Sequence, residues 1–146
     1  MLKTMRLIAV VFLMSVAFAG HSQDAVGKWK TVDDQTGKER SIVEIYQEGD
    51  QYFGKILKVI PAPGDDPDPI CTECKGKKKG QKVNGLVIIE NMELDDDGGL
   101  DDGKILDPEN GKVYDCKIWV AEDGTLKVRG YLLFLYRTQT WLPYEG

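Results

Sequence analysis

Apolar and polar side chains alternate with a period of two over most of the chain, and this period favours β-strands over helices. In the segment KVYDCKIWVAE at positions 112–122, Tyr114, Cys116, Ile118 and Val120 share one face, and the intervening residues share the other. Such runs, rich in Val, Ile and aromatic residues, are typical of half-buried strands. Outside the first twenty residues no segment has a helical period, so the fold is predicted to be all-β.

Eight such runs are present, and short turn signals that contain glycine separate several of them. We place the strands near residues 26–32, 40–47, 51–60, 85–92, 104–107, 112–121, 125–131 and 133–141. The turns QEGD, DPENGK and AEDGT have the composition of hairpin connections. Short strands at this spacing predict an antiparallel sandwich or a single up-and-down barrel of about eight strands. Residues 61–82 and 93–103 are the two longer connections.

The N-terminal residues have the pattern of a secretory signal peptide. Lys3 and Arg6 precede an apolar run from residue 7 to 18, and Ala17-Phe18-Ala19 supplies the small residues of a cleavage site. We predict cleavage of residues 1–19, a flexible segment 20–25, a barrel domain 26–142 and a tail 143–146. An uncleaved anchor helix is the alternative. If the signal peptide is cleaved, we expect the mature protein to be periplasmic or extracellular, with no membrane span.

Charge and histidine content exclude several functions. The net charge is −5 and becomes −7 once Lys3 and Arg6 are removed, so nucleic acid and anionic lipid are poor partners. His21, the single histidine, precedes the predicted domain, so a Ser-His-Asp or Cys-His system or a His-rich zinc centre is not available. An enzyme would have to use carboxylates such as Asp107 and Asp115, or Cys71. We assign no catalytic residue.

Trp29 on the first predicted strand and Arg137 on the last are candidates for closing a barrel. The indole would fill one end of the apolar interior and the guanidinium would cover its face. Trp141, four residues beyond Arg137 on the same strand face, is expected to join them. A G-x-W near the start that meets an arginine near the end resembles the lipocalin-like, or calycin, barrels.

Longer segments resemble one bacterial family. GKWKTVDDQTGKERSIVEIY, GKILDPENGKVYDCKI, LKVRGYL and RTQTW are similar to the secreted proteins of domain of unknown function 2147, and the resemblance covers residues 26–142. It implies a lipocalin-like barrel and supplies no activity.

Cys71 and Cys74 form a C-x-x-C motif in the longest connection. Half a zinc site, a redox pair favoured by the neighbouring lysines, and a small disulfide loop are all consistent with this spacing. In an oxidising compartment we favour the disulfide. Cys116 lies on a strand face with Ile118 and is interpreted as a small core residue.

The remaining motifs are read as turns and loops. Asp107, Pro108, Asn110 and Gly111 each have a residue type that suits a turn, with Asp107 as a general acid the alternative. The acidic segments 65–69 and 93–103 lack EF-hand spacing, and the basic run 75–80 is interpreted as a solvated loop rather than an anion site. No metal and no cofactor is predicted.

Three functions remain open. A hollow barrel would bind a small apolar ligand such as a fatty acid or isoprenoid; the expected lining is Tyr46, Phe53, Ile118, Tyr131 and Phe134, with Arg129 as the anchor for a carboxylate. A filled barrel would act as a structural or protein-interaction module, as a monomer or homodimer. The third is the carboxylate- or cysteine-based enzyme.

Overall fold

The computed structural model describes residues 24–146, and within them it contains eight strands and one short 3-10 helix at Gly76–Lys78. The strands are β1 (Gly27–Val32), β2 (Glu39–Glu48), β3 (Gln51–Val59), β4 (Val87–Leu94), β5 (Leu100–Leu106), β6 (Val113–Val120), β7 (Leu126–Leu132) and β8 (Leu135–Pro143). The predicted signal peptide, residues 1–19, lies outside the described residues, as does segment 20–23.

Each strand pairs antiparallel with the next, and β8 pairs with β1 through Trp29–Pro143 and Lys30–Leu142, which closes the barrel. The predicted all-β up-and-down barrel is confirmed. This topology places residues 33–38, 60–86, 107–112 and 133–134 at one end, which we call the mouth. The turns at 49–50, 95–99 and 121–125 lie at the other end together with both barrel termini, and we call this end the base.

The interior near the base is filled with large apolar side chains. Trp29, Trp141, Ile45, Ile118 and Leu126 are all buried in one core cluster. Their positions alternate along the strands because every second side chain of a strand faces inward. The indole N–H of Trp29 donates to the carbonyl of Ala25 at 2.8 Å, so the tryptophan is both packed and hydrogen-bonded.

Several predicted boundaries are shifted. β5 begins at Leu100 rather than near residue 104, because Leu100 is buried and a register shift with Asp102 at φ +60° carries the acidic residues into the strand. Leu133 and Phe134 form the β7–β8 turn rather than the start of β8. Ala25 is buried and Pro143 lies in β8, so the folded unit is slightly longer than 26–142 at both ends.

The long connection between β3 and β4 is anchored rather than free. Cys71 and Cys74 form the expected disulfide, and both side chains are buried. Gly111 in the β5–β6 turn has φ +71°, and a Cβ there would clash with the carbonyl of Glu73. Nζ of Lys78 donates to the carbonyl of Val87 at 2.9 Å. The loop therefore covers the outer side of β4 and β5 and rests on the β5–β6 turn.

Candidate functional site

A row of inward-facing residues on β8 ends in an arginine at the mouth. Trp141 is buried in the core, so Gln139 and Arg137, at every second position towards the mouth, share its inward face. Gln139 accepts a hydrogen bond from the indole N–H of Trp141 at 2.9 Å. The guanidinium of Arg137 therefore stands above a packed apolar interior.

Asp34 in the β1–β2 turn holds Arg137 in place. Nε of Arg137 donates to Oδ2 of Asp34 at 3.1 Å, and a second guanidinium nitrogen donates to Oδ1. These bonds keep the pKa of Asp34 below its usual range and raise the pKa of Arg137. The arginine side chain remains 59% exposed, so the pair is accessible to solvent and to solutes.

Asp107 at the start of the β5–β6 turn supplies a carboxyl group to the same end of the barrel. Its side chain is half-buried, and burial raises its pKa, although the charges of Arg137 and Arg40 act in the opposite direction. Its Oδ1 accepts the backbone N–H of Glu109 at 2.9 Å, and the N–H of Gly111 donates to its carbonyl at 2.8 Å. Asp107, Pro108, Asn110 and Gly111 thus lie in one hydrogen-bonded turn.

Small polar side chains line the barrel wall below the mouth. The hydroxyls of Thr31 and Ser41, opposite each other on β1 and β2, are 2.8 Å apart and buried. Together with Gln139 they make the upper interior polar, in contrast to the apolar base. We call the set Thr31, Asp34, Ser41, Asp107, Arg137 and Gln139 the mouth site.

Sequence reasoning singled out only Asp107 and Arg137 of the mouth site. The alternation of β8, which already placed Arg137 and Trp141 on one strand face, also places Gln139 there, and this signal was missed.

The structure corrects the expected contact between Trp29 and Arg137. Trp29 lies opposite Pro143, whereas Arg137 lies six residues earlier in β8, opposite Gly130. The arginine is therefore near the mouth and the tryptophan near the base. Trp29 and Trp141 share the buried core, and within residues 24–146 the arginine cation–π contacts involve Trp119 and Tyr136 and not Trp29.

Arg129, and not Arg137, is the arginine that stacks on aromatic rings. It faces outward from β7, with its guanidinium carbon 4.9 Å from the ring centre of Trp119 and 4.4 Å from that of Tyr136. Its Nε donates to the hydroxyl of Thr138 at 2.7 Å. The expected role of Arg129 as an interior anchor for a carboxylate is corrected by this outward placement.

The other expected ligand residues do not meet in one pocket. Tyr46 and Phe53 stack on the outer face with ring centres 5.9 Å apart, because their neighbours Ile45 and Gly54 take the inward positions. Tyr131 also faces outward and Phe134 is 86% exposed at the β7–β8 turn. Ile118 alone of the set faces the interior, where it is fully buried.

A small cavity lies outside the barrel, beneath the disulfide loop. It has a volume of about 110 Å³, and its walls come from the loop and from the outer faces of β4, β5 and β6, including Cys74, Lys78, Ile88 and Leu106.

The other candidate chemistries are not assembled as sites. Within residues 24–146, no group of three or more His, Cys, Asp and Glu side chains is arranged to hold a metal ion. Asp115 faces outward, where it pairs with Lys104, so it does not form a carboxylate pair with the inward Asp107. Burial raises the pKa of the Cys116 thiol to about 12, which leaves it unreactive at neutral pH.

Comparisons with known proteins agree with this architecture. The model of a bacterial family, described as uncharacterized protein conserved in bacteria (DUF2147), matches residues 27–142. A solved structure, protein HP1028 from Helicobacter pylori, described as belonging to the lipocalin family, superposes with a TM-score of 0.70 at 16% identity over 83% of each chain. Because the sequence identity is 16%, the structural similarity shows the fold alone. No curated protein matches the chain.

In the part of the chain that the structure describes, helices long and apolar enough to cross a membrane are absent.

Proposed function

We propose that this chain, which belongs to the bacterial family DUF2147, is an exported protein that binds a small anionic molecule at the mouth of its barrel. The lipocalin-like fold is compatible with ligand binding at the open end. The observation that carries the proposal is the inward placement of Arg137 at the mouth, above a sealed interior.

The mouth site offers the groups that such a ligand needs. A guanidinium binds a carboxylate or phosphate through two parallel N–H donors, the arrangement that Asp34 now occupies. Asp34 is in a turn, so it can yield its place to a ligand anion. Asp107, whose pKa is raised, can donate a proton to a ligand oxygen when it is neutral, and Gln139 adds an amide.

The packed interior favours a ligand that stays at the mouth. A fatty acid or isoprenoid chain needs an empty apolar channel, and the base is occupied by Trp29, Trp141 and the aliphatic side chains around them. We therefore propose a compact, polar ligand in place of the long apolar one considered from the sequence.

Export rests on two features. The N-terminal sequence has the pattern of a signal peptide, and a buried disulfide such as Cys71–Cys74 persists in an oxidising compartment.

The test is native mass spectrometry of the protein isolated from the periplasm, followed by melting curves with succinate, benzoate and phosphate as probes. We expect a co-purified small molecule, or a rise in Tm with at least one probe, that is lost in Arg137→Gln. Arg129→Gln is the matched control, because Arg129 faces outward on the neighbouring strand. No bound mass and no shift, or equal loss in both variants, would refute the proposal.

The filled interior also supports a second candidate, a module that acts through its outer surface without a ligand. If the ligand experiments are negative while the protein captures a partner through its outer surface, this second candidate is the better one.

A further inference from the structure

The β7–β8 hairpin projects a continuous apolar tip from the mouth of the barrel. Residues 132–136 are all at least half exposed, and Leu133 and Phe134, at the turn itself, are 88% and 86% exposed. Monomeric proteins rarely expose a contiguous apolar surface of this kind without a binding role. A convex tip of this shape inserts into a partner; it does not enclose one.

The residue types change in a regular order with distance from the tip. Leu132 and Leu135 form the first pair behind the turn, and Tyr131 and Tyr136 form the next, with ring centres 5.9 Å apart. Two residue pairs beyond the tyrosines, towards the base, Arg129 pairs with Thr138 and stacks against Tyr136. Leucine and phenylalanine side chains are outermost, tyrosines follow, and a cation lies behind them. This is the order in which side chains meet the hydrocarbon, the interface and the phosphates of a bilayer.

The charge distribution also distinguishes the tip from the base of the barrel. The three base turns and their flanking residues carry seven carboxylates and no Lys or Arg: Glu48, Asp50, Asp95, Asp96, Asp97, Glu122 and Asp123. Positions 131–136 of the tip carry no charged side chain. The mouth connections 33–38, 60–86, 107–112 and 133–134 carry eight carboxylates but also seven lysines. The net negative charge is therefore concentrated at the base, the end farthest from the tip.

We propose that the tip of the β7–β8 hairpin docks this protein on the surface of a phospholipid bilayer, with Leu133 and Phe134 inserted among the acyl chains and Tyr131 and Tyr136 at the interface. The barrel then stands with its mouth towards the lipid and its acidic base in the aqueous phase. This attachment is peripheral and is driven by apolar insertion, so it requires neither anionic lipid nor the mouth site.

The experiment is co-sedimentation of residues 20–146, which contain the whole closed barrel, with vesicles of phosphatidylcholine alone and mixed with phosphatidylglycerol. We expect binding to both, changed less than about threefold by 0.5 M salt, because screening weakens electrostatic attraction and leaves apolar insertion intact. The double variant Leu133→Asn/Phe134→Ser should lose at least tenfold in partition coefficient.

Two features keep this test informative. Leu133 has φ +57°, a conformation that Asn tolerates better than Leu, so the variant should fold, as its Tm will verify. Leu94→Asn is the matched control, since Leu94 is 61% exposed but borders a base turn, and it should bind vesicles like the wild type.

Absence of binding to either vesicle, or equal binding by the double variant, would overturn the proposal. The proposal would also be overturned if the wild type bound no vesicles but formed a dimer, or captured a protein partner, and the double variant lost that interaction. The ligand proposal is independent of these outcomes, because Arg137→Gln should leave vesicle binding unchanged.

Discussion

Arg129 and Arg137 lie on adjacent strands but on opposite faces of the sheet, and the face decides what each guanidinium does. Arg129 is outside, between the rings of Trp119 and Tyr136, and is also bonded to Thr138. Arg137 is inside at the mouth, where it donates to Asp34. One arginine is thus stacked and structural, whereas the other is exposed and free to exchange its partner.

Replacement of each arginine by methionine should show this difference in stability. Arg129→Met loses cation–π contact with two rings and should cost about 1–2 kcal/mol in the free energy of unfolding. Arg137→Met removes a solvent-exposed ion pair, which contributes about 0–1 kcal/mol. Urea denaturation of both variants measures the two costs. A larger loss for Arg137→Met would contradict the assigned roles.

Asp107 should make the stability of the protein depend on pH. Its pKa in the folded protein is raised by burial above the unfolded value, so the stability associated with its neutral form is present at low pH and is lost as the pH rises through the folded pKa. Asp107→Asn removes this loss and keeps an Oδ1 acceptor for the N–H of Glu109.

The difference in the free energy of unfolding between the variant and the wild type should therefore increase in favour of the variant from pH 3 to pH 7. Urea denaturation at both values measures the gain, with Asp123→Asn as the control of opposite sign, because hydrogen bonds from Thr125 lower the pKa of Asp123. A gain that is the same at both pH values would contradict the raised pKa of Asp107.

At the scale of elements, the β5–β6 turn is the support on which the disulfide loop rests. Gly111 and Gly124 both close hairpin turns with positive φ, at +71° and +83°. Only Gly111 also touches another element, the carbonyl of Glu73 in the loop. The space around Gly124 is open.

Alanine at these two glycines separates backbone strain from loop packing. Gly124→Ala should cost about 1 kcal/mol through the left-handed backbone alone. Gly111→Ala has the same strain and in addition displaces the loop, so its cost should exceed that of Gly124→Ala by at least about 1 kcal/mol. Thermal unfolding of the two variants gives the comparison, and hydrogen exchange in residues 70–82 should rise only for Gly111→Ala. Equal costs would mean that the loop does not rest on the turn.

The alternation of side chains was sufficient to predict eight antiparallel strands, because each strand buries one face and several hairpins carry their own turn residues. It left a sandwich and a barrel open, and the choice of the barrel depended on the resemblance to a lipocalin-like family. The alternation did not decide which face is inside where both faces carry apolar groups. On β2 and β3, Tyr46 and Phe53 could fill a core as well as Ile45, and only the strand pairing, which sets Ile45 and Gly54 inward, shows that the two rings stack outside. The mouth site was partly hidden for the same reason: Thr31, Ser41 and Gln139 resemble solvent-facing residues until the barrel closes around them.

For the whole molecule, stability is concentrated in the base. Trp141 and Trp29 lie on the two strands that close the barrel, and both belong to the core cluster. Their burial joins the first and last strands, which are distant in sequence. The mouth is more polar and more exposed.

Trp141→Ala should therefore cost about 3–5 kcal/mol in the free energy of unfolding, which is typical of a large residue removed from a core. Trp119→Ala, which removes the same side chain from the outer face, should cost about 1–2 kcal/mol, mainly through its contact with Arg129. Guanidinium denaturation followed by circular dichroism measures both. If the two losses are equal, the core is not concentrated at the base.

The pairing of β1 with β8 brings the two ends of the barrel side by side. The N–H of Tyr144 donates to the carbonyl of Lys28 at 3.0 Å, one residue beyond the Trp29–Pro143 pair. A short linker from residue 146 to residue 24, with new ends opened at the exposed turn 122–124, would leave every strand pair intact. The barrel is thus a natural candidate for circular permutation.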